Sequence, residues 1–234
     1  MGKNKVPIWA FIALALSVDT GTLAASNADG KNAQSTSDGT RKIVFFGDSI
    51  TAGLGVPPNE AFPALIQGRI VAAKLPFVVI NAGLSGETSA GGLRRVGWVL
   101  KQRADVLVIE LGANDGLRGL ALNATRINLQ GIIDRARALH PQIQIFIAGM
   151  QLPPNLGAGY TAAFRSIFPE LAIQNSISLI PFLLEGVGGV SEMNQADGIH
   201  PNSAGHRRLA ENVWSVLGPK LVGMLTQERD GFED

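Results

Sequence analysis

The sequence predicts an α/β fold of three layers, with a parallel sheet of about five strands between two layers of helices. Short runs of apolar and β-branched residues recur roughly every thirty to forty positions, and stretches with helical spacing separate them. Each run is almost continuously apolar, which is typical of strands covered on both faces. The chain has 234 residues and is 46% hydrophobic, so it can bury one substantial core. These patterns together predict a single α/β/α domain.

The elements of this domain can be read in chain order. The predicted strands are "KIVFF" from Lys42, "FVVINA" from Phe77, "VLVIE" from Val106, "IQIFIA" from Ile143 and "SLIPF" from Ser178. The predicted helices cover Phe62 to Ala73, Ser89 to Gln102, Ala124 to His140, Ala162 to Asn175 and Ala204 to Leu217. Successive βα units of this kind build a parallel sheet with helices on both sides. We therefore expect a flavodoxin-like domain over residues 41–234.

The amino-terminal segment has the composition of an export signal. Two lysines in "MGKNK" precede the apolar run "VPIWAFIALALSV" and the small residues of "TLAAS", a pattern that predicts a secretory signal peptide over residues 1–25. The run is shorter than the roughly 20 apolar residues that span a bilayer, so we expect no stable membrane anchor after cleavage. Residues 26–40 are small and polar and predict a flexible linker. A bacterial periplasmic or secreted protein is expected.

Charge and cysteine content narrow the classes of partner. Lysine and arginine total 20 against 19 acidic residues, so no basic excess favours a nucleic acid as partner. Cysteine is absent, which excludes disulfides and a lipid-modified cysteine. We expect a small-molecule partner.

The unusual polar loops follow the predicted strands. In a parallel sheet, chemistry collects just beyond the carboxyl ends of the strands. "GDS" follows the first strand, "GLSGET" the second, "LGAND" the third and "MQLPPN" the fourth, while "ADGIHPN" lies before the last helix. All five loops are therefore expected at one edge of the sheet.

A serine in the first of these loops, Ser49, is a candidate nucleophile. A serine needs a base to take its proton and a third group to orient that base. The chain has three histidines. His140 ends a predicted helix and His206 lies within another, whereas His200 follows Asp197 by three residues on a glycine-containing turn. This spacing fits an oriented base, and it also fits a turn that Asp197 merely caps.

Acyl transfer also needs hydrogen-bond donors for the oxyanion. Gly86 offers a backbone N–H that no side chain shields, and Asn114 offers a side-chain amide at the end of the third strand. Either residue alone is ordinary, because glycine and asparagine are common in loops.

The four blocks taken together resemble the SGNH hydrolase, or GDSL lipase/esterase, superfamily. They are Gly47-Asp48-Ser49, Gly86, Gly112-Ala113-Asn114-Asp115 and Asp197-Gly198-Ile199-His200. The resemblance implies that Ser49 is the nucleophile, His200 the base and Asp197 the residue that orients it. It further implies an oxyanion hole formed by the N–H groups of Ser49 and Gly86 and the side chain of Asn114, with Asp48 and Asp115 bracing the loops. It implies no metal ion and no cofactor.

Longer segments are similar to the bacterial periplasmic acyl-thioesterase, lysophospholipase and arylesterase group. They include "ELGANDGLRGL", "LPPNLG" and "DGIHPN". In that group the loops after the third and fourth strands line the acyl groove, which implies a substrate-binding role for Leu117, Arg118, Leu120, Leu152 and Pro153.

These observations predict a serine hydrolase of carboxylic esters and thioesters that works through an acyl-serine intermediate. An alternative within the same superfamily is deacetylation of a carbohydrate, although an aromatic content of 6% offers few platforms for a sugar. A flavodoxin-like binding module without catalysis is a further alternative. The presence of all three triad residues, Ser49, Asp197 and His200, disfavours that alternative.

Overall fold

The computed structural model describes residues 40–230. The predicted signal peptide and all but the last residue of the predicted linker therefore lie outside the described residues. The strands are β1 (Arg41–Gly47), β2 (Phe77–Asn81), β3 (Val106–Glu110), β4 (Gln144–Ala148) and β5 (Ser178–Ile180). The helices are α1 (Ser49–Ala52), α2 (Phe62–Ala72), α3 (Ser89–Val99), α4 (Ala113–Leu117), α5 (Leu122–Leu139), α6 (Ala158–Asn175) and α7 (Ser203–Asp230).

The five strands form one parallel sheet in the order β2-β1-β3-β4-β5. The chain steps from β1 to β2 in one direction and then crosses back to β3, β4 and β5 in the other. Because such crossovers are right-handed, this reversal sends α2 to one face and α3, α5 and α6 to the opposite face. Helix α7 packs against α2 and so completes the first layer. The α/β fold of three layers predicted from the sequence is confirmed.

The central strands have the burial that their apolar sequences predict. All five residues of β3 are buried, and so are the last five of β1. Strand β2 differs, because Val78 and Ile80 are 38% and 37% exposed. The expectation that every strand is covered on both faces is wrong for β2, which lies at the edge of the sheet where the helical layers leave part of it open.

The last helix is longer than the sequence pattern predicts. The sequence pattern predicts that the helix ends at Leu217, before Gly218 and Pro219, but α7 continues through Pro219 to Asp230. A proline inside a helix costs about 3 kcal/mol or more. Val213, Leu217 and Leu221 are all fully buried on both sides of the proline, and this packing outweighs the local penalty. Among residues 40–230 no helix is long and apolar enough to cross a membrane.

Candidate active site

Ser49 is the first residue of α1, directly beyond the carboxyl end of β1. Asp48 caps this short helix by accepting a hydrogen bond from the Ile50 N–H at 3.0 Å. Gly47 is needed for packing, because a Cβ there would lie 2.1 Å from Thr51 Oγ1 and 2.5 Å from Glu110 Oε2. The strand, the glycine and the cap together hold Ser49 at the sheet edge.

The side chains of Ser49, His200 and Asp197 form a continuous hydrogen-bonded chain. Ser49 Oγ lies 2.9 Å from His200 Nε2, and Asp197 Oδ2 lies 2.6 Å from His200 Nδ1. A carboxylate can only accept, so it selects the tautomer with the proton on Nδ1 and leaves Nε2 free to accept the serine proton. The arrangement can therefore move a proton from the serine hydroxyl to the imidazole.

Asp197 also organises the turn that carries His200. Its Oδ1 accepts from the N–H groups of Ile199 at 2.9 Å and His200 at 3.0 Å. The hydrogen bond from the His200 ring, followed by these two backbone bonds, holds the pKa of Asp197 below its usual value of 3.8. The sequence left two roles open for Asp197, orienting His200 or capping the turn. The structure contains both contacts, because Oδ1 caps the turn and Oδ2 contacts the imidazole.

Gln195 links the His200 turn to the segment after Ser49. Its Nε2 donates to the carbonyl oxygens of Leu54 at 2.6 Å and Pro201 at 3.0 Å, and its backbone N–H donates to His200 O at 2.8 Å. This side chain therefore joins the turn that carries His200 to the segment that follows α1. The sequence reasoning missed Gln195, because a glutamine in a loop carries no signal of its own.

Gly86 lies in a tight turn after β2. The turn is closed by the Glu87 N–H donating to Leu84 O at 3.1 Å, and Gly86 has a φ of +77°, as the third position of a type II turn requires. The Leu84 N–H donates to Gly47 O at 2.9 Å, which places the turn beside the Ser49 segment. In residues 40–230 the N–H groups of Ser49 and Gly86 donate to no other protein atom. Both are thus available to a bound group.

The side chains of Arg95 and Ser89 hold the segment on the carboxyl side of this turn in place. Arg95 donates to both carboxylate oxygens of the buried Glu87 and to Ala82 O, and its guanidinium lies 4.5 Å from the centre of the Phe46 ring. The start of α3 is fixed by Ser89, whose N–H and hydroxyl donate to Asp115 at 2.8 and 2.6 Å.

Asn114 is held at both ends of its side-chain amide. Its Nδ2 donates to Asp48 Oδ2 at 3.0 Å, and its Oδ1 accepts from Arg118 Nη2 at 3.3 Å. An amide nitrogen carries two protons, so one N–H remains for a further acceptor. Asn114 is therefore bonded to Asp48 through one N–H and has a second N–H that can donate to a bound group.

Two buried carboxyl groups lie beneath Ser49. Asp48 and Glu110 are each 1% exposed. Glu110 Oε2 accepts from Thr51 Oγ1 at 2.7 Å and from the N–H groups of Asp48 at 3.2 Å and Thr51 at 3.3 Å. Within the described residues, Glu110 Oε1 is the one buried side-chain oxygen or nitrogen without a hydrogen-bond partner.

Burial controls the protonation of this pair. It raises the pKa of Asp48 to about 6, against the hydrogen bonds from the Ile50 N–H and the Asn114 amide that lower it. Burial, reinforced by the negative charge of Asp48, raises the pKa of Glu110 well above 4.5. Removal from water therefore favours the protonated form of both carboxyl groups, and at Glu110 the charge of Asp48 acts in the same direction.

The residues predicted to bind substrate differ in their surroundings. Leu117 and Leu120 are 41% and 42% exposed, and Pro153 is also exposed. Leu152 is only 8% exposed and belongs to the hydrophobic core, where its methyl groups lie close to Gly116. Arg118 is exposed and donates to Gly86 O at 3.1 Å as well as to Asn114.

The other two histidines are engaged in packing. His206 is 1% exposed, stacks on Phe62 and accepts from the Phe62 N–H at 3.2 Å. Burial lowers its pKa to about 4, so it is neutral at physiological pH. His140 follows α5, and its Nε2 lies 2.9 Å from Leu100 O. Over residues 40–230 no three His, Cys, Asp or Glu side chains are grouped as a metal site would require.

Comparison with known proteins places this arrangement among hydrolases. The sequence model of the GDSL-like lipase/acylhydrolase family matches residues 45–208. "Esterase TesA" from Pseudomonas aeruginosa is 45% identical over 180 residues, which cover 76% of this chain and 89% of that protein. "Thioesterase 1/protease 1/lysophospholipase L1" from Escherichia coli is 35% identical over 178 residues, covering 76% of this chain and 83% of that protein.

Solved structures agree with these matches. The crystal structure of TesA superimposes with a TM-score of 0.74 at 44% identity and covers 76% of this chain and 99% of that chain. The psychrotrophic esterase EstA from Pseudoalteromonas sp., inhibited by monoethylphosphonate, gives a TM-score of 0.73 at 31% identity, covering 77% of this chain and 98% of that chain.

Proposed function

The chain belongs to the GDSL-like lipase/acylhydrolase family, and from this premise we propose that it hydrolyses carboxylic esters and thioesters through an acyl-serine intermediate on Ser49. One observation carries the proposal. The hydroxyl of Ser49 lies 2.9 Å from a histidine nitrogen whose tautomer Asp197 selects from the other side of the ring. This is the hydrogen-bonded chain that nucleophilic catalysis by serine needs.

In the proposed first half-reaction, Ser49 Oγ attacks the carbonyl carbon while its proton passes to His200 Nε2. The carbonyl oxygen becomes an oxyanion and accepts from the N–H groups of Ser49 and Gly86 and from the spare N–H of Asn114. Collapse of this tetrahedral species breaks the bond to the leaving oxygen or sulfur, which takes the proton from His200. The acyl group is then bonded to Ser49 Oγ.

The second half-reaction repeats these steps with water. His200 takes a proton from the water, the hydroxide oxygen attacks the acyl carbon, and the carboxylic acid leaves as Ser49 regains its proton. Asp197 stabilises the imidazolium that forms transiently in each half, and stays ionised because its pKa is held low.

The substrate is proposed to be a small molecule with an apolar acyl chain. The exposed leucines Leu117 and Leu120 support this, since they offer apolar surface to an acyl chain beside Asn114. The relatives named esterase, arylesterase and thioesterase/lysophospholipase point to the same substrate class. Leu152, from within the core, and Pro153 are proposed to shape the wall of this groove.

The test combines activity with labelling. Purified protein is assayed on aryl esters and acyl thioesters of increasing chain length, with acetylated sugars beside them, and is then treated with a phosphonate that forms a bond to an active serine. We expect hydrolysis of the aryl esters and thioesters and a label on Ser49, while Ser49→Ala shows neither. A label on another residue, or full activity of Ser49→Ala, would remove Ser49 from the mechanism.

Export to the periplasm or the medium is proposed from the pattern of residues 1–25. Amino-terminal sequencing of the protein recovered from a bacterial periplasmic fraction tests this directly. A mature chain that still begins at Met1 would contradict it.

A further inference from the structure

Arg118 makes contacts that a groove-lining residue does not need. A single nitrogen of its guanidinium, Nη2, donates to Gly86 O at 3.1 Å and to Asn114 Oδ1 at 3.3 Å. These two acceptors belong to the two residues that flank the proposed oxyanion position on separate loops. The side chain thus joins the turn after β2 to the loop after β3.

The backbone explains how Arg118 reaches both loops. It follows α4 directly, and its N–H donates to Asn114 O at 3.2 Å. Residues four apart on a helix lie on the same side, so the arginine side chain can extend back to Asn114 and onward to Gly86.

The contacts also decide which way round the Asn114 amide lies. Its oxygen accepts from the cationic Arg118, and its nitrogen donates to a carboxyl oxygen of Asp48. Rotating the amide by half a turn would place the NH₂ group against a guanidinium and the carbonyl against a carboxyl group. A guanidinium carries no acceptor for an NH₂ group, so Arg118 selects the orientation with the spare N–H.

We infer that Arg118 is a positioning residue for the oxyanion hole, which fixes the Asn114 amide and the Gly86 turn relative to each other. The inference rests on the proposed function. It assigns Arg118 a part in stabilising the transition state rather than in holding the ground-state substrate. Two kinetic constants separate these roles, since a group that acts only in the transition state lowers kcat and leaves KM unchanged.

The experiment compares Arg118→Met with Arg165→Met. Arg165 is an exposed arginine on α6 that makes no hydrogen bond or ion pair with another described residue, so its loss changes net charge equally. We expect Arg118→Met to lower kcat roughly tenfold or more, because small misplacements of catalytic donors are costly. Its KM and thermal midpoint are expected to stay near those of the wild type, and Arg165→Met should match the wild type throughout.

A double-mutant cycle identifies the route of the effect. If Arg118 acts through Asn114, then Arg118→Met should cost several-fold less in an Asn114→Ala background than in the wild type. Binding of an alkyl boronic acid, which forms a tetrahedral anionic adduct with serine, should weaken in Arg118→Met by the same factor as kcat/KM.

Each contrary result has a distinct meaning. A raised KM with unchanged kcat, or fully additive losses in the cycle, would overturn the inference and leave the proposed function standing. A wild-type protein that hydrolyses no ester or thioester would overturn the proposed function and this inference with it.

Discussion

Replacement of Asn114 by alanine tests the proposed oxyanion hole most directly, and the structure divides its effect into two parts. The first part is catalytic. One N–H of the amide is committed to Asp48 and one remains for the oxyanion, so alanine removes a single donor. In acyl-transfer enzymes the loss of one such donor costs about 10²–10³-fold in kcat, or roughly 3–4 kcal/mol.

The second part is structural. Asp48 is 1% exposed, and Asn114→Ala leaves its Oδ2 without the hydrogen bond at 3.0 Å. A buried acceptor that loses its partner costs about 1–3 kcal/mol. In a domain of about 200 residues, each kcal/mol lowers the thermal midpoint by about 2–4 °C. We therefore expect the thermal midpoint to fall by about 2–12 °C.

The assay measures kcat and KM on an aryl ester at 25 °C, together with the thermal midpoint. Thr51→Val is the matched control, because it removes one buried hydrogen bond to a carboxyl group, from Thr51 Oγ1 to Glu110 Oε2 at 2.7 Å, and leaves both Asn114 and Asp48 in place. The control variant loses one buried hydrogen bond, as Asn114→Ala does, but it keeps the Asn114 amide. We expect a similar fall in midpoint and a much smaller fall in kcat. Near-normal kcat of folded Asn114→Ala, or a loss expressed mainly in KM, would refute the oxyanion assignment.

Further predictions concern the base, the buried carboxyl pair and the acyl groove. Asp197→Asn should lower kcat by orders of magnitude by favouring the wrong imidazole tautomer; stopped or continuous ester assays check this, and full activity would exclude Asp197. Glu110→Gln should become progressively more stable relative to the wild type as pH rises above 4.5, the ordinary pKa of a glutamate. The raised pKa of Glu110 gives the wild type stability that is present at low pH and lost as pH increases; urea titrations at several pH values measure the difference, and a constant difference would contradict it. Leu120→Ser should raise KM for long acyl esters more than for acetyl esters, and equal changes for both would remove Leu120 from the groove.

Much of the fold follows from the sequence because its strands are buried. The apolar runs of β1, β3 and β4 have no explanation other than a covered sheet, and their predicted positions agree with the structure to within about two residues, the usual uncertainty of element ends. The end of α7 could not be predicted in this way. Local rules stop a helix at Gly218-Pro219, whereas the contacts that carry it further are made with elements distant in the chain.

In the site, too, the sequence predicts the residues that belong to local motifs but not the contacts between segments distant in the chain. The predicted family is confirmed, and its motifs identify Ser49, His200 and Asn114 as candidates. In the sequence Glu110 is the last residue of an apolar run, and an acidic residue at that position indicates a buried carboxyl group. Arg118 could be assigned to the groove region but not to its contacts, since these depend on the turn at Gly86, 32 residues away.

The hydrogen bond between Ser49 and His200 joins residues 151 positions apart. Contacts of such long sequence separation form late, because closing a large loop costs entropy before any native contact repays it. A growing or refolding chain can complete β1 and the turn that carries the serine long before the segment with the histidine docks. Hydrolytic activity should therefore appear only in the final step of folding, so that in a refolding experiment its recovery reports docking of the carboxy-terminal segment, whereas circular dichroism reports the earlier formation of the sheet and helices.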